Sequence, residues 1–351
     1  MLRTVFSPAL QSSLRSASAS TRQSVRGYAS APSSGSSTSN LPLLLGGAGV
    51  AGLGAWVLMG GNANGVPSAS DAKAAAGKAA AAVPGVGGAA SALNKDEWRE
   101  FKLKEVVPYN HDSATFVFEL PPGTDSGLST ASAVLFKGAD SSPVKDKDGK
   151  PVIRPYTPVS TPATQGHMDF LIKKYQGGAM TSHVHGLKPG DSLSIKGPIP
   201  KFPYKANEFE EIGMIAGGSG ITPMWQVMQD IANNASDKTR VTLVYTNKTE
   251  SDILLREKFD ALAAKDPRFK IVYGLDKLPS NFKGFQGYIT PEIISQHLPA
   301  PGKADKVKVF VCGPPPQVES ISGGKGPKGS QGELKGLLAD AGYQESQVYK
   351  F

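Results

Sequence analysis

A chain of 351 residues has room for two domains with sizeable cores. Its formal charge of +8 is concentrated at one end: residues 1–95 hold seven Lys/Arg against one acidic residue, leaving 31 basic against 29 acidic for the rest, a near-neutral balance that argues against nucleic-acid binding. The single cysteine, Cys312, excludes an intrachain disulfide and any cysteine-based zinc or iron–sulfur centre, and the five histidines show no metal-ligand spacing, so no metal is expected.

No acidic residue precedes Asp71, while Arg3, Arg15, Arg22 and Arg26 are spaced through a Ser/Ala-rich stretch. That is transit-peptide chemistry and predicts a mitochondrial targeting region over residues 1–40. Nineteen residues without a charge follow from Leu41 to Met59, with Trp56 near their end. Their length predicts a membrane anchor over 41–60. Five glycines, Gly46, Gly47, Gly49, Gly52 and Gly54, lower helix propensity and hydrophobicity, which leaves a cleaved sorting segment as the other reading. Residues 61–95 are Ala/Gly/Ser with scattered lysines, too poor in large apolar groups to build a core, and read as a flexible linker.

At Glu97-Trp98 the texture changes to short alternating strands, Phe101 to Val107, Ala114 to Leu120 and Ser132 to Phe136, separated by Pro, Gly and Asp clusters. Without a long amphipathic helix, residues 96–205 read as a small antiparallel β-barrel domain. A charged run ending in Asp148-Gly149 reads as a hairpin turn that delivers the chain into Arg154-Pro155-Tyr156-Thr157-Pro158. The two prolines push their predecessors into extended geometry, which makes a stiff strand edge. On it Arg154 offers a planar fork for phosphate, Tyr156 a stacking face and Thr157 a hydroxyl, a set suited to a flat phosphorylated ligand. The plainer reading is an edge strand with a surface arginine. A strand from Met168 to Tyr175 then enters Gly177-Gly178-Ala179-Met180-Thr181-Ser182, whose backbone N–H groups can face a pyrophosphate.

Beyond a boundary near 206, strands and helices alternate, and residues 206–351 read as a parallel α/β sheet. Ile212 to Ala216 is its first strand, and Gly217-Gly218-Ser219-Gly220 leaves the strand's carboxyl end. Thr222 is expected to cap a helix that starts at Pro223. A glycine loop there lets the backbone approach a dinucleotide pyrophosphate, although Pro223 departs from the usual Rossmann fingerprint. Cys312-Gly313-Pro314 makes a stiff turn at the end of the last buried strand, Val307 to Val311.

Arg154-Pro155-Tyr156-Thr157-Pro158, the Gly177–Ser182 loop, Gly217-Gly218-Ser219-Gly220-Ile221-Thr222-Pro223 and Cys312-Gly313-Pro314 together resemble the NADH-cytochrome b5 reductases, within the ferredoxin-reductase-like flavoproteins. The resemblance covers residues 98–351. It implies FAD held by the barrel, with Arg154, Pro155, Tyr156, Thr157, Lys173, Tyr175, Gly178, Met180, Thr181 and Ser182 lining it. NADH would lie on Gly217, Gly218, Gly220, Thr222, Cys312, Gly313 and Pro314. Asp252 matches the acidic position that discourages NADPH, and it could equally cap the helix beyond it. The resemblance also implies catalytic positions at Thr157, near the reactive flavin nitrogen, at His111, a proton-relay partner, and at Cys312, beside the nicotinamide. The implied acceptor is cytochrome b5 or a similar haem protein. The implied location is the mitochondrial outer membrane, single-pass, with a processed intermembrane-space form alongside. A sister flavoreductase with another acceptor would share every motif. A membrane-tethered dinucleotide-binding module without turnover would carry no flavin.

Overall fold

The computed structural model describes residues 90–303 and 305–351. The expectations for residues 1–40, for 41–60 and for nearly all of 61–95 lie outside the described residues. Among those described, no helix is long and apolar enough to cross a membrane.

The first half is built of β1 (Ala90–Ser91), β2 (Arg99–Pro108), β3 (Ser113–Glu119), β4 (Thr124–Asp125), β5 (Ser132–Gly138), β6 (Arg154–Tyr156), β7 (His167–Lys173), α1 (Ala179–Val184) and β8 (Ser192–Pro200). Six of the strands form an antiparallel sheet in the order β6-β5-β8-β2-β3-β7. Alternation sends Phe116 and Phe118 of β3, Phe136 of β5 and Phe170 of β7 to one side, where all four are buried. The rings of Phe118, Phe136 and Phe170 pack edge to face, Phe136 and Phe170 at 4.7 Å between centroids. The edges β6 and β7 meet through the segment after β6: Val159 N donates to Asp169 O at 2.8 Å, and Asp169 N donates to Ser160 Oγ at 3.0 Å. That stitch closes the barrel beside the Arg154–Thr157 edge. The packed chain begins ahead of residue 96, since β1 pairs in parallel with β4 and Ala92 and Leu93 are buried in the barrel core.

The second half comprises β9 (Glu211–Gly217), α2 (Ile221–Asn233), β10 (Arg240–Asn247), α3 (Arg256–Lys265), β11 (Phe269–Leu275), β12 (Phe285–Gln286), α4 (Pro291–His297), β13 (Val307–Cys312), α5 (Pro315–Ser322), α6 (Gly336–Asp340) and β14 (Val348–Lys350). All pair in parallel, in the order β12-β11-β10-β9-β13-β14. β9 is buried almost throughout because both its faces are covered. Ile212, Met214 and Ala216 face a core shared with α2, whereas Ile215 faces Ile294, Ile321 and Leu338 of α4, α5 and α6. The first of these cores runs on into the barrel through Ala131, Val159, Leu171 and Phe202, so the two domains are cemented by apolar packing. β9 is flanked by β10 on one side and β13 on the other, which opens a crevice at the strands' carboxyl ends.

The helix after β9 starts at Ile221, not Pro223, because a 3-10 turn over Gly218–Gly220 runs straight into it. Thr222 is therefore not the cap but a first-turn residue, its hydroxyl donating to Ser219 O at 3.4 Å. Pro223 is tolerated there because the first-turn N–H groups have no helical partner anyway.

Candidate active site at the domain seam

On the barrel side the edge strand β6 presents Arg154 and Pro155 to solvent. Arg154 Nη1 donates to Ile153 O at 2.8 Å, and among the described residues the guanidinium has no carboxylate partner. Most of its donors are uncommitted. The half-buried Tyr156 ring is seated on Phe136 at 4.5 Å. Burial pushes its phenol up to about 12, against the pull of Arg154, so it stays neutral and offers a face, not an acid. Thr157 is half-buried at the end of this edge.

The loop before α1 is shaped from inside. Gly177 adopts φ +73°, in open space. Thr181 Oγ1 donates to Gly178 O at 3.1 Å and accepts from Tyr175 N at 3.3 Å, and a Cβ on Gly178 would lie 2.5 Å from that hydroxyl oxygen. Thr181 thus holds the loop closed, and Met180 is buried in the barrel core. Both were expected to line a cofactor. The helix turns them inward and leaves Ser182 and Tyr175 exposed.

Across the seam, space explains two glycines of the loop after β9. A Cβ on Gly220 would come within 2.4 Å of Cys312 O, and one on Gly217 within 1.9 Å of Gln317 Oε1. Gly218 takes φ +51°, and Tyr245, donating from its hydroxyl to Gly218 O at 2.9 Å, braces it. Cys312 is half-buried at the end of β13, and burial pushes its thiol up to about 12. It is protonated at neutral pH, so it has no thiolate with which to attack a substrate. Gly313 and Pro314 lead from it into α5.

Polar contacts join the sides. The Tyr175 and Ser219 hydroxyls are 2.6 Å apart, so the loop beyond β7 and the glycine loop touch. Lys173 Nζ lies 2.5 Å from Asp112 Oδ2 and 3.0 Å from Asp252 Oδ1. Asn110 Nδ2 adds a bond to Ser251 O at 2.8 Å. Asp252 accepts from Thr249 N at 3.1 Å and Thr249 Oγ1 at 2.6 Å, closing a capping box on a 3-10 turn over Glu250–Asp252. Burial alone would raise its carboxyl, but Thr249 and Lys173 outweigh burial and hold it below the usual range. Lys173 is raised, burial again being overcome by its two carboxylates.

These contacts place two of the residues singled out in the sequence. The Lys173 ammonium is occupied by carboxylates of both domains, Asp112 from the barrel and Asp252 from the parallel-sheet domain. His111 Nε2 lies 3.4 Å from Asp112 Oδ2 and 3.6 Å from Asp252 Oδ1, so it belongs to this cluster. His111, Asp112 and Asp252 could together surround a cation, and the one among them is the Lys173 ammonium. Asp112 and Ser219 were missed in the sequence, although each adjoins a residue that was singled out. Gln317 carried no signal at all.

An oxidoreductase FAD-binding domain family matches residues 100–204, and an oxidoreductase NAD-binding domain family matches 214–322. NADH-cytochrome b5 reductase 2 of Mycosarcoma maydis is 60% identical over 354 residues, covering 100% of this chain and 99% of that one. The chain belongs to the NADH-cytochrome b5 reductase family. Its relative in Phaeosphaeria nodorum, also an NADH-cytochrome b5 reductase 2, is 45% identical over 336 residues, covering 94% of this chain and 96% of that one. The cytochrome b5 reductase domain of Ulva prolifera nitrate reductase superposes with a TM-score of 0.65 at 31% identity, over 75% of this chain and 100% of that one. In this b5 reductase family member the barrel is the FAD-binding domain and the parallel sheet the NAD-binding domain. The residues fit FAD: uncommitted guanidinium donors, a neutral aromatic face and an open glycine loop adjoin on one rim.

Proposed function

We propose that the protein passes electrons from NADH through bound FAD to cytochrome b5 or a similar haem protein. The observation that carries this reading is the Tyr175–Ser219 contact, which brings the flavin-side and nicotinamide-side loops face to face. Arg154 would hold the FAD phosphates through its free donors, Tyr156 would stack, and the glycine loop after β9 would admit the NADH pyrophosphate. FAD supplies a ring that takes two electrons together and gives them up singly. Thr157 places a hydroxyl at the end of the β6 edge, and the protonated Cys312 would lie beside the nicotinamide without covalent chemistry. Asp252 sits just beyond β10, where its charge would repel a 2′-phosphate.

The acid-free, arginine-bearing start and the nineteen uncharged residues support anchorage in the mitochondrial outer membrane by a single span, with a processed intermembrane-space form. The purified protein should be yellow and should reduce cytochrome b5 with NADH. A colourless protein without bound flavin would refute the reading. Alkaline extraction of mitochondria should leave the uncut chain in the membrane pellet, and its full release would refute the anchor.

A further inference from the structure

α5 starts at the carboxyl end of β13, and its first turn carries Gln317, whose half-buried side chain crosses the ends of the central strands. Its Nε2 donates to Thr246 Oγ1 of β10 at 3.1 Å, and Thr246 Oγ1 donates to Ala216 O of β9 at 3.2 Å. A hydroxyl has one hydrogen, so Thr246 must accept from Gln317. That fixes the amide, with its nitrogen toward β10 and its oxygen toward β9 and β13. The oxygen fills the space over two glycines: a Cβ on Gly217 would lie 1.9 Å from Oε1, and one on Gly313 would lie 3.0 Å from it. Among the described residues the side chain's only hydrogen bond is the one to Thr246, which leaves Oε1 an acceptor without a donor. It stands in the crevice where such sheets bind dinucleotides.

We propose that Gln317 is a positioning and specificity residue for NADH, its Oε1 accepting a hydrogen bond from a hydroxyl of the nicotinamide-side ribose. This rests on the NADH-binding reading above. An amide oxygen cannot bond a phosphate oxygen, since both are acceptors, so the pyrophosphate is excluded as its partner. Oε1 lies between the glycine loop, on the pyrophosphate side, and Gly313, on the nicotinamide side. The ribose is what connects those two groups. Thr246, holding the amide by its nitrogen, is a second positioning residue. A Cβ on Gly217 or Gly313 would crowd the amide, and one on Gly217 would also meet Pro314 Cδ at 2.8 Å.

The test is titration of the FAD-loaded full-length protein with NAD+ and with NAD+ whose nicotinamide ribose is 2′,3′-dideoxy. Gln317→Met keeps length and removes both polar atoms. It should weaken NAD+ about five- to tenfold, the worth of one net hydrogen bond, and leave the dideoxy analogue bound equally by both proteins. Thr246→Val frees the amide without altering α5 and should weaken NAD+ in the same sense, again sparing the analogue. Unchanged NAD+ affinity in Gln317→Met, or equal losses for the two dinucleotides, would overturn the proposal. A wild-type protein that binds neither dinucleotide would instead overturn the NADH reading, and this one with it.

Discussion

Arg154 has five donors and engages its neighbour's carbonyl with one of them, so its functional weight lies in what it can still bind. A bidentate charged contact to phosphate contributes about 1.5 to 3 kcal/mol. Arg154→Ala should therefore lower FAD affinity about tenfold or more and leave the fold intact, because the side chain is exposed. Apoprotein titration with FAD, beside a circular dichroism spectrum, reads both, and an unchanged affinity would remove Arg154 from the site. Asp252 closes a capping box with Thr249 on the 3-10 turn over Glu250–Asp252 and does not cap the helix beyond, which has Leu255 at its N-cap and no side-chain cap; its proposed second role is to repel a 2′-phosphate. The wild type should prefer NADH over NADPH by at least about tenfold in kcat/KM. Asp252→Ala should narrow that ratio, chiefly by improving NADPH, since it also leaves Lys173 paired with Asp112 alone. An unchanged ratio would assign Asp252 to capping only.

The strands were legible because alternation survives wherever one face is buried, as in β3, and because β9 reads as a continuous apolar run. β14 was not legible, since three residues carry no period, and its place beside β13 comes from tertiary pairing. The start of α2 was misjudged because Thr-Pro is a common entry, and the glycine turn's continuity with the helix is a three-dimensional fact. The Lys173–Asp252 clasp was invisible for a different reason: its partners are 79 positions apart. It links elements of the two domains and has a definite pH signature. Asp252 is depressed below its ordinary 3.8, so its contribution is present above that value and is lost as pH falls through the lowered folded value. Lys173 is raised above 10.5, so its contribution is present below 10.5 and is lost as pH rises through the raised folded value. Between those limits the clasp is closed. The thermal midpoint should then stay level through neutral pH for this contact and fall in acid, and Lys173→Met should shrink the acid-side drop. An identical acid-side slope in the variant would show that the clasp contributes nothing there.

At the scale of the molecule, the barrel and the parallel sheet share one apolar cluster running from Phe202 and Val159 to Ile212 and Met224. Urea unfolding should accordingly give a single transition for both domains, with flavin release and loss of helix coinciding. Two separated transitions would refute the shared core. The folded region also begins earlier than composition suggested, because Ala92 and Leu93 are small or isolated apolar residues at the end of an Ala/Gly stretch and yet pack into the barrel. A chain trimmed to start at Lys95 should be less stable than one starting at Val83, since burying one leucine contributes about 1.5 to 3 kcal/mol. Equal denaturation midpoints would contradict that packing. The seam between the domains is where electrons would move, and the central claim is that it connects NADH to a haem protein through FAD. The most direct measurement is the rate at which the purified, FAD-loaded protein reduces cytochrome b5 with NADH, with ferricyanide as the comparison acceptor and the flavin-free protein as control. The account predicts that the loaded protein reduces both acceptors and the flavin-free protein neither. Reduction of ferricyanide without reduction of cytochrome b5 would contradict it.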